Sequence, residues 1–237
     1  FAMHKMIFNE KGYPIDFIFL DINPAFTKIT GLDSEILGKR VLEVLPNIEK
    51  YWIEKFGYTV KTREVQKFED YLQALNKIFS VTVFSPKEGY FATIVEDVTE
   101  FKKTENNYKN IFENSPVGIF KITLEGELIS YNNAFAKVFG FRNSEHMSKH
   151  TNNVYDLYKN KEEINEILSI ISKNKKIKNG IIKTVNIYDS LIICKINMIY
   201  YKDKLVGKNL IEGTITDITE EKIREKMLKI SDRGLRM

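Results

Sequence analysis

The residues of this chain that could do chemistry are few. Cys194 is the single cysteine, and the three histidines are His4, His146 and His150. Trp52 is the single tryptophan, and Phe56 follows it four residues later, the spacing of one helix face. Phe68-Glu69-Asp70-Tyr71 sets aromatic rings beside carboxylates, and Glu162-Glu163 is a paired acid. An aromatic wall with a few polar groups is the general description of a small-molecule site. The same residues are also what a core between a helix and a sheet requires, and that is the plainer reading of Trp52 and Phe56. Nothing in the chain matches a Gly-rich phosphate loop, a Gly-x-Ser-x-Gly elbow or His-Glu-x-x-His. It also lacks a phospho-acceptor histidine motif and the Gly-Gly-Asp/Glu-Glu-Phe signature of diguanylate cyclases. The expectation is a non-catalytic segment in which Glu162 and Glu163 are solvated helix residues and the histidines are solvated or capping.

These residues sit in 237 positions, enough to bury a core without disulfides or metals. Hydrophobic residues make up 43% and charged residues 29%, which excludes general disorder. The formal net charge is +4 and only six of the cations are arginines. Lysines are scattered among glutamates, so no arginine-rich surface for phosphates or bases is expected, and nucleic acid is not an expected partner. No run reaches the ~18 apolar residues of a membrane helix, and the first residues lack a signal peptide's apolar region. With one cysteine and no zinc spacing, a cytoplasmic, reducing setting is expected, while a larger parent could still be attached to a membrane.

The chain repeats itself once. Ile22-Asn23-Pro24-Ala25-Phe26-Thr27-Lys28-Ile29-Thr30-Gly31 returns about 110 residues later as Tyr131-Asn132-Asn133-Ala134-Phe135-Ala136-Lys137-Val138-Phe139-Gly140. Glu96-Asp97-Val98-Thr99-Glu100 returns about 120 residues later as Thr216-Asp217-Ile218-Thr219-Glu220. A period this long is a whole domain, beyond the ~20 to 50 residues of solenoid units.

Periodicity gives each copy the same order of elements. In the first, strands at Met6–Phe8 and Ile15–Leu20 flank an Asn9-Glu10-Lys11-Gly12 turn. A short helix capped by Asn23 or Asp21 ends at Gly31. A buried turn follows from Val41 to Pro46, then a helix over Glu49–Lys61 and strands at Val65–Tyr71, Ile78–Phe84 and Gly89–Val98. The second copy has strands at Val117–Thr123 and Leu128–Tyr131, a polar Asn143–Asn153 connection, and a helix carrying Ile164, Ile167, Leu168 and Ile171. Three strands close it, at Ile177–Ile187, Leu191–Tyr201 and Val206–Ile218. The fold class is α+β: two domains, each a five-stranded antiparallel sheet with helices on one face. The expected divisions are 1–98, a helical linker over 99–114, 115–218, and an exiting helix over 219–237. On the exiting helix Thr219 is a good N-cap, and Ile223, Met227 and Ile230 begin an apolar seam.

Asn-Pro-Ala-Phe, Gly38-Lys39-Arg40-Val41, Leu45-Pro46 and the Asp97-Val98-Thr99-Glu100 close resemble a PAS domain. Phe112-Glu113-Asn114-Ser115-Pro116-Val117-Gly118-Ile119-Phe120, Asn132-Asn133-Ala134-Phe135 and Asp217-Ile218-Thr219-Glu220 resemble its sensory-box form. The resemblance covers nearly the whole chain. It implies a tandem sensory and dimerisation segment of a prokaryotic signalling protein, in two-component or cyclic-di-GMP signalling. Such a segment passes ligand or interaction state through the exiting helix to an output domain, a diguanylate cyclase ahead of a histidine kinase. A flavin-photoadduct relative would carry Asn-Cys-Arg-Phe-Leu-Gln and a haem-sensing relative a histidine on the longer helix. Neither is here, so no flavin and no haem are expected, and the protein should be colourless. An unidentified small organic ligand in the first domain remains open, against Trp52, Phe56, Phe68 and Tyr71. In the second domain the aliphatic helix face favours a packed core, and Cys194 reads as a buried structural thiol. Asp97, Thr99, Asp217 and Thr219 are expected to couple each sheet to the helix that follows. A homodimer through the linker and exiting helices is the expected assembly. A ligand-free interaction module and a light or redox sensor are the alternatives.

Overall fold

The computed structural model describes residues 1–204 and 207–234, and the boundary between its two compact units falls between Asn106 and Asn107. In the first unit, β1 (Ala2–Phe8) and β2 (Pro14–Ile22) form a hairpin. Its turn is closed by Asn9 Oδ1, which accepts from the amides of Lys11 and Tyr13 at 3.0 and 2.9 Å. Gly12 takes the positive φ of 76° there, a conformation a side chain would resist. α1 (Pro24–Thr30) begins at Asn23, whose side chain accepts from the Phe26 amide, and ends at Gly31 with φ 77°. α2 (Val41–Val44), α3 (Lys50–Thr62), β3 (Gln66–Leu72), β4 (Lys77–Phe84) and β5 (Tyr90–Asp97) complete the unit. The sheet order is β2-β1-β5-β4-β3, antiparallel throughout.

The first strand is longer than the sequence suggests. It starts at Ala2 instead of Met6, and Ala2, His4 and Met6 alternate inward. The expected turn at Val41–Pro46 contains the short helix α2. α3 buries Trp52, Ile53, Phe56, Thr59 and Val60 along one side. Gly57 lies so close to β2 that a Cβ there would stand 2.3 Å from Pro14 Cβ. The helix thus approaches the sheet by backbone contact at that point.

α4 (Thr99–Asn114) follows β5 directly and buries none of its side chains. The second unit then repeats the order: β6 (Gly118–Thr123), β7 (Leu128–Tyr131), α5 (Asn133–Val138), α6 (Ser144–Ser148), α7 (Lys161–Asn174), β8 (Lys176–Val185), β9 (Leu191–Lys202), β10 (Asn209–Asp217) and α8 (Thr219–Gly234). Its sheet order is β7-β6-β10-β9-β8. The two units therefore share one topology, five antiparallel strands with helices packed to make a separate core in each. Part of the expected polar connection at Asn143–Asn153 is helical, because Asn143 caps α6 by accepting from the His146 amide. The last strand was expected from Val206, which lies outside the described residues, as do positions 235–237 of the exiting helix; the observed strand begins at Asn209.

The repeated asparagine has a clear role in the second unit. Asn132 is fully buried; its Oδ1 accepts from the amides of Ile119 and Phe135, and its Nδ2 donates to the carbonyls of Phe112 and Val117. One amide thereby uses all its hydrogen-bonding capacity to join the end of α4, the start of β6 and the start of α5.

Candidate binding cavity and helix joints

Between the first sheet and its helices lies a cavity of about 70 Å³. Phe17 and Phe19 from β2, Phe26 from α1, Trp52 and Phe56 from α3, and Phe79 from β4 form its walls, and no charged residue lines it. Trp52 is 3% exposed, with its ring 5.9 Å from that of Phe56 and 5.4 Å from that of Phe68. The four ligand candidates separate here. Trp52 and Phe56 line the cavity, and Phe68 packs behind Trp52. Tyr71 stands on the opposite face of β3, 44% exposed, its hydroxyl donating to Asn76 Oδ1 at 2.7 Å. The nearby carboxylates are engaged elsewhere, Asp70 with Lys55 at 3.2 Å and Glu69 with Lys102 at 2.7 Å.

His4 was expected near solvent, and the structure reverses that. It is 2% exposed and lines the cavity. Its ring stacks on Phe91 at 4.6 Å and stands edge-on to Phe17 and Phe19 at 5.0 and 5.2 Å. Nε2 lies 3.1 Å from Thr93 Oγ1, while Nδ1 has no hydrogen-bond partner. Burial pushes the imidazole pKa down to about 3. The ring is neutral at ordinary pH. The signal that could have located it was the Ala2, His4, Met6 alternation, masked because a histidine among polar terminal residues reads as surface.

In the second unit the corresponding space is about 30 Å³ and is walled largely by aliphatic side chains, among them Ile164, Leu168, Ile182 and Ile196. Ile192, Cys194, Ile196 and Met198 all face this core. The Cys194 thiol is fully buried and is pushed up to about 12, first by burial and then by the Asp217 carboxylate. It is inert at neutral pH. His146 and His150 lie on and just after α6, their rings 4.7 Å apart and both against Phe141. Among the described residues no group of three or more His, Cys, Asp and Glu side chains could hold a metal.

The strand-to-helix joints are built alike. At the first, Asp97 Oδ1 accepts from the Thr99 amide at 3.0 Å and from its hydroxyl at 2.6 Å. Thr99 Oγ1 in turn accepts from the Ile78 amide at 2.9 Å. Lys77 pairs with Asp97 Oδ2 at 3.0 Å. Burial pushes the Asp97 carboxyl up, but these hydrogen bonds outweigh it and hold the group below the usual carboxylate range. At the second joint, Asp217 Oδ1 accepts from the Thr219 amide at 2.8 Å and from its hydroxyl. Thr219 Oγ1 accepts from the Ile193 amide at 2.8 Å. The expectation that the Thr219 hydroxyl caps its own helix is therefore corrected: it ties the helix start to the neighbouring strand. Beyond the joints, Phe101, Tyr108 and Ile111 on α4 and Ile223, Met227 and Ile230 on α8 are exposed.

Among the described residues no helix is long and apolar enough to cross a membrane. A family model described as PAS domain matches residues 7–100 and 116–220. No curated protein matches the sequence. Solved structures that resemble single units include the PAS domain of an HTR-like protein from Haloarcula marismortui, 16% identical with a TM-score of 0.37, covering 50% of this chain and 95% of that one. A PAS domain from Colwellia psychrerythraea is 13% identical with a TM-score of 0.40, covering 49% and 98%. A LOV protein from Rhodobacter sphaeroides is 12% identical with a TM-score of 0.37, covering 49% and 68%.

Proposed function

The chain belongs to the PAS domain family, with two copies in tandem, and from that premise we propose that it is a non-catalytic sensory module whose first unit receives a small ligand and whose second unit relays the result. One observation carries this reading. Among the described residues, the buried side-chain polar atoms without a hydrogen-bond partner are His4 Nδ1, Glu49 Oε2, Trp52 Nε1 and Thr59 Oγ1, all in the first unit. Buried polar atoms are normally satisfied. Trp52 Nε1 has the Tyr51 hydroxyl beside it, and Glu49 and Thr59 stand off the cavity, which leaves His4 Nδ1 as the unpartnered group on a cavity-lining residue and supports the first unit as the one that takes a guest. A volume of about 70 Å³ suits a guest of a few heavy atoms and does not suit a flavin or a haem.

The relay in this reading runs through the two joints to α4 and α8, and the exposed seams on those helices pair with the same helices of a second copy. The output is a diguanylate cyclase ahead of a histidine kinase, and the setting is cytoplasmic. Ligand extraction and a ligand-dependent melting shift test the sensory part. A small molecule recovered from the protein, whose removal lowers the melting temperature of the first unit, supports it. A protein with nothing to extract and no melting response to any small molecule is an interaction module instead. An absorption band in the flavin or Soret region would identify a light or redox sensor. Sedimentation tests the dimer: charged substitutions at Ile111 and Met227 should yield monomers.

A further inference from the structure

The proposed sensory role leaves the chemistry of the guest open, and the walls of the cavity restrict it. All the lining residues are uncharged, and six of them are aromatic carbocycles or indole. A carboxylate or ammonium entering this space would lose its hydration with no counter-charge to meet it, at a cost of several kcal/mol. The volume is about 70 Å³, roughly half of the ~150 Å³ that takes up a benzene ring. An apolar hydrocarbon of a few atoms would satisfy both conditions, but His4 adds a third.

The Thr93 hydroxyl is buried, and its hydrogen-bond partner is His4 Nε2. A buried hydroxyl proton needs an acceptor, and Nε2 serves only if it carries the lone pair. With the imidazole neutral, its one proton then sits on Nδ1. The result is a buried N–H on a cavity-lining residue, 2% exposed, with no acceptor among the described residues.

Resting on the sensory reading above, we infer that the first unit recognises a small, neutral, mainly apolar molecule bearing one hydrogen-bond acceptor, such as a short ketone or aldehyde, and that His4 Nδ1–H is the group that reads the acceptor. The aromatic walls exclude charge and set the size, and the histidine separates a carbonyl compound from the hydrocarbon of the same shape.

The single tryptophan makes the test direct, because the protein has one indole N–H resonance. The full chain is titrated with acetone, its hydrocarbon isostere 2-methylpropene, acetate and isopropylammonium, four heavy atoms each, following that resonance and the imidazole ¹⁵N signals. The expected result is saturable movement of the indole signal with the ketone, accompanied by the His4 ring ¹⁵N. The alkene should bind about five-fold more weakly, the worth of one net hydrogen bond, and the two ions should have no effect at equal concentration. In His4→Leu the order should reverse, the alkene binding more tightly than the ketone, because the carbonyl then loses its hydration with no donor to replace it. Should that variant not fold, the His4 ¹⁵N shift in the wild type decides the same question. Tighter binding of acetate or isopropylammonium, or a ketone that moves the indole but not the His4 ring, overturns the inferred class while leaving the cavity a binding site. If none of the four moves the indole signal, the sensory reading of the first unit fails with it.

Discussion

The Ile193 amide on β9 donates to the hydroxyl of Thr219 at 2.8 Å, so the first residue of the exiting helix is tied sideways to a strand that precedes it by 26 positions. Ile78 and Thr99 make the same bond at 2.9 Å in the first unit. Each helix is thus fastened to the sheet at two adjacent strands, the one it continues from and the neighbour. Removing the hydroxyl leaves a strand amide without its acceptor, a loss of about 1 kcal/mol or somewhat more. That is small beside whole-domain stability and comparable with a typical coupling energy of ~1 to 3 kcal/mol. Thr219→Ala should leave the second unit folded, speed hydrogen exchange at the Ile193 amide, and uncouple the output of the full-length protein; Thr219→Ser should restore both. Normal regulation by the alanine variant would make the joint purely structural.

Acid should weaken the first unit through His4. Its folded pKa of about 3 lies below the ordinary 6.5, so the unfolded chain takes up the proton first as pH falls. The contribution is intact above pH ~6.5 and declines by about 1.4 kcal/mol per pH unit below it, until the folded pKa is reached. Between pH 7 and pH 5 urea unfolding of the first unit should lose about 2 kcal/mol from this group. His4→Leu should remove that component, and an unchanged pH slope in the variant would mean that His4 is protonated or exposed in the folded state.

Gly57→Ala probes the approach of α3 to β2. Alanine is the better helix former by about 1 kcal/mol in an open site, but here its methyl would stand 2.3 Å from a rigid proline ring. Overpacking of that kind typically costs ~1 to 3 kcal/mol. The expected outcome is a lower melting temperature for the first unit, with the second unchanged. Pro14→Ala in the same chain should recover part of the loss.

The thiol of Cys194 should resist alkylation in the native protein at pH 8 and react at once in denaturant, since it is fully buried and its pKa is raised to about 12. Rapid native labelling would show that β9 opens locally.

Much of this architecture was legible in the sequence because its markers are local. Asn23 followed by Pro24 and closed by Gly31 specifies a helix by capping chemistry alone, and the four-residue spacing of Trp52, Phe56 and Val60 specifies the buried side of another. The partners of His4 and Thr219 were not legible because they are distant. Thr93 is 89 residues from His4, and Ile193 reaches Thr219 only once β9 and β10 have paired in register. Tyr71 shows the limit of reading neighbours in a strand: three residues from Phe68, it must face the other side of a pleated sheet.

β5 and β10, which lead into α4 and α8, each occupy the middle of their sheet, with a paired strand on either side. Anyone splicing a foreign effector onto this protein would therefore be attaching it to the most firmly held strand available. A junction placed before Thr219 would discard the tether to Ile193 and leave the graft on a swivel. Placed after Glu221, it would keep the tether and hand the new partner a helix whose rotational phase is already set.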